Sequence, residues 1–116
     1  MIGIDIVVIA RIEKLIEKFG EKTLNRFLDE DEKQLIKSPA TAAGFWAAKE
    51  AASKAIGTGI GSSCGFHDIK ITKTKNNAPK IKYKKEIRKK LKIKSSSLSI
   101  THDGGFAIAV VALEKK

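Results

Sequence analysis

Apolar residues recur with two different periods along the chain of 116 residues, and the changes of period mark its elements. Ile2 to Ile9 (IGIDIVVI) is dense in β-branched residues and predicts a first, largely buried strand. From Arg11 the spacing becomes helical: Ile12, Leu15, Ile16 and Phe19 fall at i, i+3, i+4 and i+7. The same helix carries a basic stripe of Arg11, Lys14, Lys18 and Lys22 and an acidic one of Glu13, Glu17 and Glu21. Leu24, Phe27 and Leu28 mark a second helical piece. A third, holding Leu35 and Ile36, opens on Asp29-Glu30-Asp31-Glu32, and acidic residues favour a helix amino terminus. Ser38-Pro39 is a capped helix start, and the alanine-rich helix that follows runs to Ile56 and stops at Gly57. Two-residue alternation then takes over. Ile69 and Ile71 share a face between His67 and Lys75, Asn76-Asn77-Ala78-Pro79 turns, and Ile81 and Tyr83 return as the second half of a hairpin. A short basic helix with Ile87 and Leu91 ends at Ser95-Ser96-Ser97. Leu98 and Ile100 begin a strand that closes on Thr101-His102, and Asp103-Gly104-Gly105 turns the chain into a last strand, Phe106 to Leu113. No repeat or linker interrupts the series. The pattern predicts one compact α+β domain over residues 1–116, with an antiparallel sheet packed against helices.

Charge adds a strong asymmetry. The formal net charge is +10, and residues 80–94 (KIKYKKEIRKKLKIK) alone hold nine basic side chains and one acidic. Such a segment is either a solvated lysine face or an attractor for nucleic acid, an anionic membrane surface or an acidic protein. No apolar run approaches the ~18–20 residues of a membrane span. The first residues lack the basic leader and cleavage site of a signal peptide. A single cysteine, Cys64, excludes an internal disulfide, so a cytoplasmic protein is expected.

Four places invite chemistry. Asp5 stands between Ile4 and Ile6, where a buried carboxylate needs a cation, a metal or several N–H donors; the plainer reading is a satisfied structural aspartate. Glu50 precedes Lys54 by one helical turn, which by itself describes a surface ion pair. Gly57, Gly59 and Gly61 resemble a phosphate loop, but they close a helix instead of opening one. The dinucleotide and nucleotide-triphosphate fingerprints therefore both fail. An anion approaching that loop would need side chains or a metal to offset its charge, and Lys54 is placed to help. His102 ends a strand, where a polar ligand can reach it. His67 reads as structural or surface, and no Cys/His spacing fits zinc.

Taken together, the Gly3-Ile4-Asp5-Ile6 strand leading to Arg11, the run from Trp46 to Gly61 (WAAKEAASKAIGTGIG) and the terminal Ser99-Ile100-Thr101-His102 closely resemble the holo-acyl-carrier-protein synthase family over nearly the whole chain. These are small bacterial 4'-phosphopantetheinyl transferases. The resemblance implies their fold and their reaction: transfer of the 4'-phosphopantetheine arm of coenzyme A to a serine of apo-acyl carrier protein, releasing adenosine 3',5'-bisphosphate and activating the carrier for fatty acid biosynthesis. It implies that Asp5 and Glu50 bind magnesium, that Glu50 and Lys54 are catalytic, and that Glu50, or a water it orients, accepts the proton. It places Lys54, Gly57, Gly59, Thr101, His102, Asn77 and Pro79 against coenzyme A, and an acidic carrier on Arg11, Lys14 and Lys18. It also implies a homotrimer with active sites at subunit contacts, and neither a membrane nor a nucleic-acid partner. Three positions depart from the family. Phe45 stands where arginine is common, so one phosphate contact of the family is either missing or replaced, with a lysine of residues 80–94 as a candidate substitute. Ala78 stands in a turn that usually contains glycine, and Asp103 follows His102 where threonine is common. The main alternative, a nucleic-acid-binding module built on residues 80–94, has few aromatics for stacking (Phe66 and Tyr83) and gives Asp5 and Glu50 no role.

Overall fold

Alternating isoleucines at one end and an alanine-rich helix in the middle set the architecture. The computed structural model describes all 116 residues. In chain order the elements are β1 (Ile2–Val8), α1 (Ile9–Phe19), α2 (Glu21–Phe27), α3 (Glu30–Lys33), α4 (Pro39–Ala55), a 3-10 turn (Phe66–Asp68), β2 (Ile69–Lys73), β3 (Pro79–Tyr83), α5 (Lys85–Lys90), β4 (Ile93–Asp103) and β5 (Phe106–Lys115). The strands form two antiparallel sheets where the sequence pattern suggested one. The larger has the order β1-β5-β4, and the smaller is the β2-β3 hairpin. No helix is long and apolar enough to cross a membrane.

Helix α4 is the centre of the core. Ser38 caps it, its Oγ accepting the Thr41 N–H at 3.2 Å, with Pro39 in the first helical position. Ala42, Ala43, Ala47, Ala48, Ala51, Ala52 and Ala55 are all buried, so where Ala51 and Ala55 face β1 there is almost no side-chain bulk and the strand packs close to the helix backbone. Gly3 shows how close. A Cβ there would collide with the Ala51 carbonyl oxygen and lie 2.6 Å from the Ala55 amide nitrogen. Tyr83 ties the hairpin to the same helix, its hydroxyl donating to the Ala52 carbonyl at 2.7 Å.

Strand β1 is not buried on both faces. Gly3, Asp5 and Val7 face α4, whereas Ile2, Ile4, Ile6 and Val8 point outward and are exposed. Their register partners on β5 are Ala112, Val110, Ile108 and Phe106, so the outer face carries a continuous apolar stripe. Ser97, Ser99 and Thr101 of β4 border it. The Ile and Val residues on both sides of β1 hid this two-sidedness, because its charged residue is the one turned inward.

Three further expectations shift. Ser95, Ser96 and Ser97 do not end a helix but lie within β4, where Ser96 Oγ donates to the Ile81 carbonyl at 2.9 Å. Leu35 and Ile36 fall beyond the end of α3. The acidic run does cap that helix, with Asp29 and Glu32 forming a capping box, but Glu32 also reaches the core. Its Oε1 accepts from Lys49 Nζ at 2.8 Å and its Oε2 from the Ile71 N–H at 2.8 Å. Lys49 Nζ also donates to the Phe27 carbonyl at 2.7 Å. This ion pair is sealed from water and joins the start of α3, α4 and β2.

Candidate active site

Because β1 lies almost against the α4 backbone, Asp5 meets the carboxyl-terminal half of that helix. Lys54 Nζ donates to Asp5 Oδ1 at 2.8 Å and to the Ile4 carbonyl at 3.3 Å. The Asp5 side chain is 14% exposed and that of Lys54 51%, so the pair has one foot in solvent. The expected surface pair between Glu50 and Lys54 gives way to this cross-element contact. Glu50 stands beside both groups. Burial first, then the charge of Asp5, raises its carboxyl above the usual range, while Lys54 and Arg11 pull the other way. The hydrogen bond to Asp5 raises the Lys54 ammonium above its ordinary value.

Two carboxylates face the Lys54 ammonium, with the Arg11 guanidinium also acting on Glu50, and both carboxylates offer hard oxygen donors. That set suits magnesium, which takes one or two carboxylates and completes its shell from water and substrate phosphates. It is not a preformed cage, since no group of three or more His, Cys, Asp or Glu side chains converges anywhere in the chain. Asp5 and Glu50 thus fit the ion on donor chemistry, with ligands left for the substrate to supply.

The glycines follow one turn later. Gly57 and Gly59 take positive φ values of 81° and 66°, and the Thr58 and Gly59 N–H groups both donate to the Ser53 carbonyl. They form the helix cap and turn the chain, and the space beside each, where a Cβ would point, is open.

Asn77, Pro79 and His102 meet elsewhere. With Gly44, Phe45 and Lys73 they line a cleft of about 290 Å³ at the amino-terminal half of α4. Asn77 carries the left-handed conformation of its turn (φ 63°), so Ala78 is accommodated without glycine. The turn closes through the Thr74 N–H on the Ala78 carbonyl at 2.8 Å and the Ala78 N–H on Thr74 Oγ1 at 3.1 Å. Thr101 is not in this cleft. Strand alternation turns it to the outer sheet face, opposite Ile108, while Ile100 and His102 face inward. The cation lining the cleft beside Phe45 is Lys73; lysines 80, 82 and 94 line a different one. Sequence reasoning missed Lys73. Its position at the end of β2, just before the turn, was the available signal.

Arg11, Lys14 and Lys18 do come together, along a shallow groove of about 410 Å³ whose apolar lining is Val8, Ala10 and Leu15. Trp46 turns away from the Phe45 cleft into an aromatic cluster with Phe27 and Phe66, at ring-centre distances of 5.0 and 4.8 Å. His67 Nε2 is 2.9 Å from the Asn25 carbonyl oxygen, and Cys64 is fully buried; neither enters the site.

The Asp5–Lys54 pair and Glu50 thus stand at the carboxyl-terminal half of α4, and the cleft carrying Lys73 and His102 at its amino-terminal half. Residues 1–111 match the model of the 4'-phosphopantetheinyl transferase superfamily. The chain is 70% identical over 118 residues to the holo-[acyl-carrier-protein] synthase of Aliarcobacter butzleri, covering all of both chains. It is 59% identical to that of Sulfurimonas denitrificans, over 98% of this chain and 94% of the relative. Among solved structures it superposes on the Helicobacter pylori holo-[acyl-carrier-protein] synthase in complex with coenzyme A with a TM-score of 0.95. That match has 52% identity and covers 98% of this chain and all of the other. The Neisseria meningitidis enzyme gives a TM-score of 0.86 at 36% identity, covering 98% and 97%. The chain belongs to the 4'-phosphopantetheinyl transferase superfamily and, within it, to the holo-[acyl-carrier-protein] synthases, a family of transferases.

Proposed function

We propose that this chain, acting over residues 1–116 as a single transferase domain, moves the 4'-phosphopantetheine arm of coenzyme A to a serine of apo-acyl carrier protein. The reaction is magnesium-dependent, releases adenosine 3',5'-bisphosphate and activates the carrier for fatty acid biosynthesis in the cytoplasm. The observation that carries this is the meeting of Asp5 on β1 with Lys54 and Glu50 on α4, forty-nine and forty-five positions further along, in a chain 70% identical to an enzyme of that name.

Asp5 and Glu50 would hold the magnesium ion. When bound, the ion neutralises diphosphate charge and orients it. The serine hydroxyl forms a new bond to the β-phosphorus, and the bond from that phosphorus to the bridging oxygen breaks. Glu50, or a water it orients, takes the hydroxyl proton. Lys54 stands where an ammonium meets the charge growing on the departing oxygen, and such preorganised charge is usually the largest catalytic term. The open side of Gly57 and Gly59 lets the coenzyme approach the backbone.

The cleft of Asn77, Pro79 and His102 takes the nucleotide end of coenzyme A, with Lys73 as the phosphate contact in a site where Phe45 replaces the family's arginine. Thr101, on the outer face, would contact coenzyme across a subunit boundary. The exposed apolar stripe of Ile2, Ile4, Ile6, Val8, Phe106 and Val110 supports a homotrimer built on that face. The groove of Arg11, Lys14 and Lys18 would dock the acidic carrier, its apolar lining receiving the carrier's helix and its cations the carrier's carboxylates. Mass spectrometry of apo-acyl carrier protein incubated with enzyme, coenzyme A and magnesium tests the reaction. A gain of one phosphopantetheine group is expected, and its absence with several carrier proteins would overturn the assignment.

A further inference from the structure

We propose that a second cleft, between the β2-β3 hairpin and β4, binds a small oligophosphate anion at a site separate from the nucleotide cleft of α4. It encloses about 440 Å³, and Lys80, Lys82, Arg88, Thr72, Ser95 and Ser96 contribute to its lining. The proposal is independent of the transferase assignment.

The charges of this region are unevenly matched. Lys70 and Lys94 also line the cleft but are paired: Lys70 lies 3.0 Å from Asp31 and 3.4 Å from Asp29, and Lys94 lies 2.9 Å from Glu114. Lys84, outside the cleft, pairs with Asp68 at 3.2 Å. None of these pairs includes Lys80, Lys82 or Arg88, so three cations share one concavity without a carboxylate. The hairpin register places the unpaired lysines together. Lys82 lies directly opposite Lys70 and Lys80 opposite Thr72, and Lys80 and Lys82, two residues apart on β3, share one strand face. A multiply charged anion beside them offsets their charge.

Arg88 is already oriented for the task. Its Nε donates to the Tyr83 carbonyl at 3.0 Å, which fixes the guanidinium and leaves its terminal N–H groups for a ligand. A planar guanidinium with two ammonium groups matches the geometry and charge of linked phosphates. Thr72 and Ser95 add hydroxyl donors at the wall; Ser96 is engaged with Ile81. No aromatic side chain lines the cleft, so a nucleobase finds nothing to stack on, and single-stranded nucleic acid lacks its usual platform. The chemistry recognised is therefore the phosphate chain itself.

Calorimetric titration of the full chain with sodium tripolyphosphate, at ionic strength held constant with chloride, tests the site. One saturable site is expected, weakened about tenfold for each cation removed in Lys80→Ala, Lys82→Ala and Arg88→Gln. Lys73→Ala and Asp5→Ala should bind as the parent does, and thermal unfolding verifies that every variant is folded. Absence of binding, or binding that survives the combined three-site variant, would overturn the proposal. So would loss on Lys73→Ala, which places the anion in the nucleotide cleft. A single-stranded oligonucleotide that binds through the same three residues more tightly than tripolyphosphate would also overturn it, in favour of a nucleic-acid surface.

Discussion

The ammonium of Lys54 sits 2.8 Å from Oδ1 of Asp5, although forty-nine residues separate them in the chain. Only the close packing of β1 on α4, which glycine at position 3 and alanine at 51 and 55 permit, brings them together. The contact turns a helix that reads as structural filler into one wall of a site, and it fixes the order in which the site's charges can be tested.

Lys54→Met should lower kcat by about 10²–10³, as loss of a preorganised charge at a developing anion does. Folding stability should change by less than about 1 kcal/mol, because a half-exposed pair is screened by solvent. Steady-state kinetics beside thermal unfolding checks both halves. A large loss of stability with unchanged kcat would make the pair structural.

Glu50 gives a pH signature. Its carboxyl is raised from 4.5, by burial first and by Asp5 second, so the folded chain holds this proton to higher pH than the unfolded chain does. Stability linked to it is present below the ordinary carboxylate pKa and declines as pH rises through the raised value. Glu50→Gln should flatten that decline. Without divalent ions the variant should be more stable than the parent at neutral pH, though inactive. Denaturant titrations at acidic and neutral pH would show the two curves parting as pH rises.

Glu32 and Lys49 form a sealed ion pair, with side chains 1% and 0% exposed. Removing either partner alone, as in Glu32→Gln or Lys49→Met, strands a charge and should cost about 3–5 kcal/mol. The double variant Glu32→Gln/Lys49→Met should recover part of that loss. A double-mutant cycle in urea measures the coupling; strict additivity would contradict it.

The outer face of the large sheet should hold the assembly together. Ile4→Asp, on a residue 58% exposed in the single chain, should convert a trimer into monomers in sedimentation while the fold survives. Activity should fall with the oligomer if Thr101 acts across the boundary. A monomeric parent protein would remove the basis for this.

The legible parts of the sequence were those with local grammar. Ser38-Pro39 and Gly57 bounded α4 to within a residue or two, the alternation of Ile69, Ile71, Ile81 and Tyr83 gave the hairpin, and Asp103-Gly104-Gly105 gave the last turn. Asp5 stood out because one charge interrupts six apolar neighbours. What escaped depended on partners distant in sequence. Lys49 reads as one more polar residue of a helix until Glu32 is seen to reach the core from seventeen positions away. Strand β1 reads as buried on both faces because Ile and Val fill its solvent side as well. Serines 95–97 look like a break, yet within β4 Ser97 belongs to the hydroxyl-lined outer face and Ser96 bonds the hairpin. Thr101 and His102 are adjacent in sequence and therefore cannot share a face of β4. Lys73 reaches the Phe45 cleft only because the hairpin folds over α4.

The most direct measurement is the mass of apo-acyl carrier protein after incubation with coenzyme A and the parent chain, Asp5→Ala or Glu50→Ala, each with magnesium and with a chelator. A phosphopantetheine-sized gain that appears only with the parent chain and magnesium is the predicted result. Full modification by either variant, or in the chelator, would contradict a catalytic centre built on Asp5 and Glu50.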